Sequence, residues 1–163
     1  MEKYTALIAV RKGSQRIKNK NVKPFCESSL LEIKIQQAKR CSLIDEVVIS
    51  SDCEEMLQVA KKLGASTRKR DEDFCSSSVP MNLVYEHLAK NTVRDHIVYL
   101  HVTSTLLSDE SLERSIEIYK EKISLGYDSL ASVEKVKKYL WYDEKPVNYD
   151  PDNHPRSQDL PDY

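Results

Sequence analysis

Arg11, Lys12, Arg16, Lys18 and Lys20 crowd the segment AVRKGSQRIKNKN at positions 9–21, around Gly13 and Ser14. A glycine lets the backbone turn closely about an anion, a serine hydroxyl adds a donor, and guanidinium and ammonium groups counter phosphate charge. These residue types together suit a polyphosphate, a triphosphate in particular. The same composition also describes a solvated basic loop, because lysines are rarely buried. Gly13 is the one glycine of the segment, so neither a G-x-x-x-x-G-K-[ST] loop nor a G-x-G-x-x-G turn is present.

The rest of the chain sharpens the contrast. Its 25 basic and 26 acidic residues leave a net charge of -1, so attraction for anions is local, and neither nucleic acid nor a membrane surface is an expected partner. A length of 163 residues suits one domain that buries its own core. Cys26, Cys41, Cys53 and Cys75 show no C-x-x-C spacing, which speaks against a zinc site or a disulfide framework and for a reducing compartment. The apolar run near the N-terminus is too short for a signal-peptide core, and nothing approaches the roughly 20 apolar residues of a membrane span. A cytoplasmic location is expected.

Several elements must position the basic loop. TALIAV (5–10) and EVVIS (46–50) are short continuous apolar runs of the kind found in strands covered on both faces. Residues 65–67, 96–101 (HIVYLH) and 129–133 (SLASV) read as three further strands. Helical spacing predicts helices over 30–40 with Ser28 or Ser29 as cap, 54–63 ended by Gly64, 80–90, and 108–122 opened by Ser108 and Asp109. Alternating strands and helices predict an α/β fold, a Rossmann-like, doubly wound, mainly parallel sheet with helices on both faces. Ligands of such sheets bind beyond the carboxyl ends of the strands, and the basic loop lies there. The tail holds Pro146, Pro151, Pro155 and Pro161 and is no regular core element.

The pattern R-x-G-S-x-R-I-x-x-K-N-x-x-P-F, at Arg11, Gly13, Ser14, Arg16, Ile17, Lys20, Asn21, Pro24 and Phe25, resembles the signature of the CMP-sugar synthetases, and more narrowly of the N-acylneuraminate cytidylyltransferases. VISSD at 48–52, Arg70, YLHVTS at 99–104 and QDLP at 158–161 resemble further family motifs in the same order. The resemblance implies a nucleotide-diphospho-sugar transferase type of fold. It also implies transfer of CMP from CTP to the anomeric hydroxyl of an acidic nine-carbon sugar, such as sialic, legionaminic or pseudaminic acid. By the same resemblance pyrophosphate would be released and Mg2+ would be the cofactor. A Kdo-type synthetase, or a CTP-binding fragment without turnover, is the alternative.

By the same resemblance Arg11, Lys20 and Gln15 are the candidate catalytic residues. Arg11, Gly13, Ser14, Arg16, Asn21 and Arg70 would bind CTP, and His101, Thr103, Ser104, Arg156 and Gln158 would bind the sugar. Gln15 stands where the family usually has Lys, and an amide donates to a phosphate oxygen without neutralising it. His101 replaces a Gln, Val102 and Thr105 replace prolines, and Arg156 lies one residue from its usual register. The family continues with an N-G-A-x-Y-I strand and an Asp-x-Asp metal site that this sequence lacks, so no metal ligand is assigned and the chain is expected to be truncated.

Asp52 reads either as a metal ligand or, preferably, as a cap with Ser51 for the following helix. The run Asp71, Glu72, Asp73 reads as a solvated loop face. One domain is expected over 1–163, with 137–163 as a dimerisation and sugar-site segment of a homodimer. Trp141 and Tyr142 are either its interface anchors or buried core.

Overall fold

The computed structural model describes residues 2–14, 16–76, 78–92 and 95–163, which divide into two compact units, the first running to Tyr127 and the second from Asp128 to Tyr163. In the first unit β1 (Tyr4–Ala9), β2 (Glu46–Ser51), β3 (Ser66–Lys69) and β4 (His96–Tyr99) form one parallel sheet in the order β3-β2-β1-β4. Leu7 of β1 lies between Val48 of β2 and Tyr99 of β4, which fixes the register on both sides.

Helices α1 (Leu30–Arg40), α2 (Glu54–Lys62), α3 (Met81–Lys90) and α4 (Asp109–Ile123) connect or follow these strands. Alternate residues of β1 separate two cores. Tyr4, Ala6, Ile8 and Val10 pack with Leu31, Ile35 and Ala38 of α1, Met56 and Ala60 of α2, and Leu112 and Ile116 of α4. Leu7 packs on the other face with Val48 and with Val84 and Leu88 of α3. The cause is topological: the chain steps outward from β1 to β3, then returns across the sheet to β4. Crossovers of one hand place the returning helix on the opposite face. Burying side chains such as Leu31, Ile35 and Ile49 contributes about 1.5–3 kcal/mol each.

Local signals set the helix ends. Ser29 caps α1 by accepting from the Glu32 N–H at 3.3 Å, and Ser108 caps α4 by accepting from Ser111 N–H at 3.0 Å. The predicted helix 80–90 has Pro80 at its N-cap rather than in its first turn. The cap expected from Ser51 and Asp52 does not form: the N-cap of α2 is Cys53, without a side-chain cap bond, because Asp52 is engaged elsewhere.

In the second unit β5 (Trp141–Tyr142) and β6 (Lys145–Pro146) form a hairpin whose turn residues Asp143 and Glu144 both have positive φ, 48° and 60°. Asn148 staples it, accepting from Leu140 N–H and donating to Lys138 O. Tyr139, Tyr149 and His154 cluster, with ring centroids 4.6–5.2 Å apart. The strand expected over 129–133 does not form: these residues are exposed, without regular secondary structure or a partner strand among the described residues. Trp141 and Tyr142 are 60% and 80% exposed, which removes the buried-core alternative within this unit.

Candidate functional site

The sheet order changes direction between β1 and β4, and the crevice at such a switch point is where open α/β sheets bind ligands. The loop after β1 and the loop after β4 meet there. Between them lies a cavity of about 620 Å³ lined by Arg11, Ser14, Arg16, Lys20 and Asn21 from the first loop and His101 and Thr103 from the second. A second cavity of about 270 Å³ shares Ala9 and Arg11 with it and is lined by Arg70, Phe74, Val79, Met81, Val84 and Tyr99. The two together offer a cationic chamber beside a largely apolar slot.

The basic loop is shaped by its backbone. Gly13 turns the chain at φ 87°, a conformation costly for residues with a Cβ. Asn19, also at positive φ, accepts from the N–H groups of Val22 and Lys23 at 3.0 and 2.9 Å. Asn21 anchors the end of the loop by accepting from Leu31 N–H of α1 at 3.0 Å. The residue is 5% exposed and lines the larger cavity, and its buried Oδ1 has no hydrogen-bond partner among the described residues. An unpaired buried acceptor costs about 1–3 kcal/mol, a cost that a hydroxyl or amine of a ligand removes.

Arg11 is half-buried and donates from Nη1 to the Cys75 carbonyl at 2.8 Å, which aims it along the junction of the two cavities. Arg70 lines the smaller cavity and is also tied into the sheet. It is buried, and its guanidinium donates to Val10 O at 3.0 Å, Ser50 O at 2.8 Å and Ser50 Oγ at 3.2 Å, tying together the ends of three strands. Burial holds this guanidinium below its ordinary pKa, and burial likewise pushes the Tyr99 phenol and the Cys75 thiol up.

Across the cleft, His101 stacks edge-on against Tyr99 at 5.0 Å, and the His101 carbonyl accepts from Ser104 N–H at 3.1 Å. Ser104 turns its own carbonyl to Lys34 of α1, 2.6 Å away. Lys34 has no exposed surface, and it also donates to Gln37 Oε1, while Gln37 donates to the Leu107 carbonyl. Burial lowers the Lys34 pKa, with Asp109 acting the other way. These two side chains bind the loop after β4 to α1.

The structure thus gathers Arg11, Ser14, Arg16, Lys20, Asn21, His101 and Thr103 around one cavity, sets Arg70 in the lining of the smaller one while it bonds the strand ends, and gives the Ser104 carbonyl to Lys34. Gln15 lies outside the described residues. Arg156 and Gln158 belong to the second unit, where Arg156 Nε pairs with Asp159 at 2.8 Å and Gln158 is exposed. Sequence reasoning missed Lys34 and Gln37. The signal was a lysine in helical register with Leu30, Leu31 and Ala38, where an apolar residue belongs.

Among the described residues no three or more His, Cys, Asp or Glu side chains gather as a metal-ligand group. Mg2+ bound through nucleotide phosphates takes only one or two protein carboxylates, and no step is routed through the ion here.

A parallel sheet with a cationic crevice at its switch point defines an open α/β fold of the anion-binding kind, and no helix among the described residues is long and apolar enough to cross a membrane. The chain belongs to the cytidylyltransferase family, which it matches over residues 5–154. The pseudaminic acid cytidylyltransferase of Campylobacter jejuni is 34% identical over 121 residues, 71% of this chain and 52% of that protein. The N-acylneuraminate cytidylyltransferase of Oncorhynchus mykiss is 29% identical over 94% of this chain and 37% of that protein. A CMP:2-keto-3-deoxy-manno-octonic acid synthetase complexed with CTP superposes with a TM-score of 0.64 at 16% identity, over 75% of this chain and 49% of that one, a likeness of fold. The chain spans about half the length of the Campylobacter relative.

Proposed function

We propose that the chain binds CTP and takes part in transfer of CMP to the anomeric hydroxyl of an acidic nine-carbon sugar, with release of pyrophosphate. The observation that carries this reading is the cavity at the switch point, where Arg11, Ser14, Arg16, Lys20 and Asn21 converge from one loop. The cytosine ring fits the apolar slot walled by Phe74, Val79 and Tyr99. The phosphates then run past Arg11 toward Lys20 and Arg16, and the sugar faces His101 and Thr103.

Attack of the anomeric oxygen on the α-phosphorus forms one P–O bond as the bond to the leaving pyrophosphate breaks. Negative charge grows on that leaving group, and preorganised cations and hydroxyl donors stabilise it. Arg11 supplies a guanidinium held by Cys75 O, Lys20 a mobile ammonium, and Ser14 a hydroxyl. Mg2+ belongs to this proposal as a companion of the nucleotide phosphates, which are its usual ligands beside one or two carboxylates. A cytoplasmic homodimer completes the reading. Four free cysteines suit the compartment, and the exposed Trp141 and Tyr142 suit an interface between copies.

The test is calorimetric titration with CTP and Mg2+, followed by pyrophosphate release in the presence of sialic, legionaminic, pseudaminic and Kdo acids. CTP binding with turnover of a nonulosonic acid is expected. Turnover with Kdo alone overturns the sugar assignment, and no CTP binding overturns the whole reading.

A further inference from the structure

Asp52 stands at the carboxyl end of β2, half-buried, and its Oδ1 accepts the backbone N–H of Lys12 at 2.8 Å, across 40 residues of sequence. A carboxylate reaching into a loop that carries Arg11, Lys12 and Arg16 opposes the binding of any polyanion there. Helix capping does not explain it, since the N-cap of α2 is Cys53 and the Ser51 hydroxyl serves the Cys53 N–H at 3.1 Å. The Asp52 charge also faces the buried Arg70 guanidinium, whose pKa burial lowers and Asp52, more weakly, raises.

The geometry around Arg11 gives the explanation. On its N-terminal side Val10 is held twice, its N–H donating to Ser50 O at 3.0 Å and its carbonyl accepting from Arg70 Nη2 at 3.0 Å. Beyond Arg11, Lys12 is held by Asp52. The backbone of Arg11 is therefore fixed one residue before and one residue after by the ends of neighbouring strands. Its guanidinium is steadied separately by Cys75 O. Released at Lys12, the chain would be free to swing the loop just before the positive-φ turn at Gly13.

We propose that Asp52 is a positioning residue for Arg11, and that its carboxylate serves as a hydrogen-bond acceptor for Lys12 N–H rather than as a charge. This rests on the reading that the cavity beside Arg11 receives the phosphates of CTP. Its consequence separates hydrogen bond from charge. Asparagine keeps the acceptor and removes the repulsion, so Asp52→Asn binds CTP as tightly as the unaltered chain or more tightly. Asp52→Ala loses the acceptor and lets the loop drift, and its CTP affinity falls about tenfold.

The experiment measures CTP affinity in the presence of Mg2+ for the unaltered chain, D52N and D52A, with amide hydrogen exchange at Lys12 recorded for all three. Slow exchange at Lys12 in the unaltered chain and D52N, fast exchange in D52A, and the affinity order D52N at least equal to unaltered, both above D52A, are expected. D52N binding as poorly as D52A overturns the proposal, because the charge is then what matters. So does a D52A chain with unaltered affinity or unaltered Lys12 exchange. If the unaltered chain binds no CTP, the functional reading fails by itself, and the Lys12 exchange of D52A still decides whether Asp52 holds the loop.

Discussion

Lys34, with no exposed surface, donates from Nζ to the carbonyl of Ser104 at 2.6 Å, joining α1 to the loop after β4 across 70 residues of sequence. An ammonium buried among neutral acceptors has its charged form disfavoured, and its pKa is lowered from 10.5 chiefly for that reason. In the unfolded chain Lys34 returns to its ordinary value. Between the lowered value and 10.5 the unfolded state binds more protons than the native one, so stability attributable to this group rises with pH. Comparison with Lys34→Met removes the contribution of other titrating groups. The melting temperature of the unaltered chain, measured against K34M from pH 7 upward, should shift in its own favour as pH approaches 10.5. A difference that stays constant over this range would show that Lys34 titrates as an exposed lysine, and one that moves in favour of K34M would show its pKa raised instead.

Arg70 is expected to matter for stability before it matters for ligand. Its guanidinium serves two backbone carbonyls and one hydroxyl at the ends of β1 and β2, and Arg70 N–H donates to Ser51 O at 2.9 Å. Arg70→Ala leaves those acceptors without their donor at a cost of about 2–3 kcal/mol. For a chain of this size that corresponds to a fall in melting temperature of roughly 5–10 °C. Arg70→Lys restores less than half of it, because a point ammonium cannot reach three acceptors held in a guanidinium's plane. Thermal unfolding without nucleotide measures both variants, and an unchanged R70A melting temperature contradicts the framework role.

Arg11 and Lys18 lie in the same basic segment, yet only Arg11 lines both cavities. Arg11→Ala should weaken CTP binding by about tenfold or more, as expected for loss of a charge-assisted bond. Lys18→Ala removes an exposed, screened charge and should change affinity by less than about twofold at physiological salt. Calorimetry on the two variants decides, and equal small effects would mean that the loop is merely a solvated basic surface.

How much of this was legible in the sequence follows from the range of the interactions. The four parallel strands, the helix capped by Ser29 and the convergence of Arg11, Ser14, Lys20 and Asn21 depend on local periodicity, capping chemistry and the position of a loop after a strand. The errors come from long-range partners. Asp52 looks like a cap until Lys12 claims it, and the bonds from Arg70 to Val10 and Ser50 join strand ends that lie far apart in sequence. Lys34 stands in the apolar register of α1, but nothing near it or Gln37 in sequence marks the loop that buries them. The segment 129–133 has the composition of a strand, but a strand forms only where another offers its edge.

Gly13 provides the last prediction. Its φ of 87° lies in the region that side chains rarely adopt, while a Cβ built there would meet nothing within 4 Å. Steric collision is therefore not the issue, and a substitution at this position tests backbone conformation alone. Gly13→Ala should cost about 1–2 kcal/mol in the native turn, or else force the turn to open and carry Ser14 away from the cavity. Asparagine tolerates positive φ better than alanine, as Asn19 does at 53° in the same loop. CTP affinity should accordingly fall in the order unaltered chain, G13N, G13A. An alanine variant that binds CTP as the unaltered chain does would show that the turn at Gly13 takes no part in placing the phosphate donors.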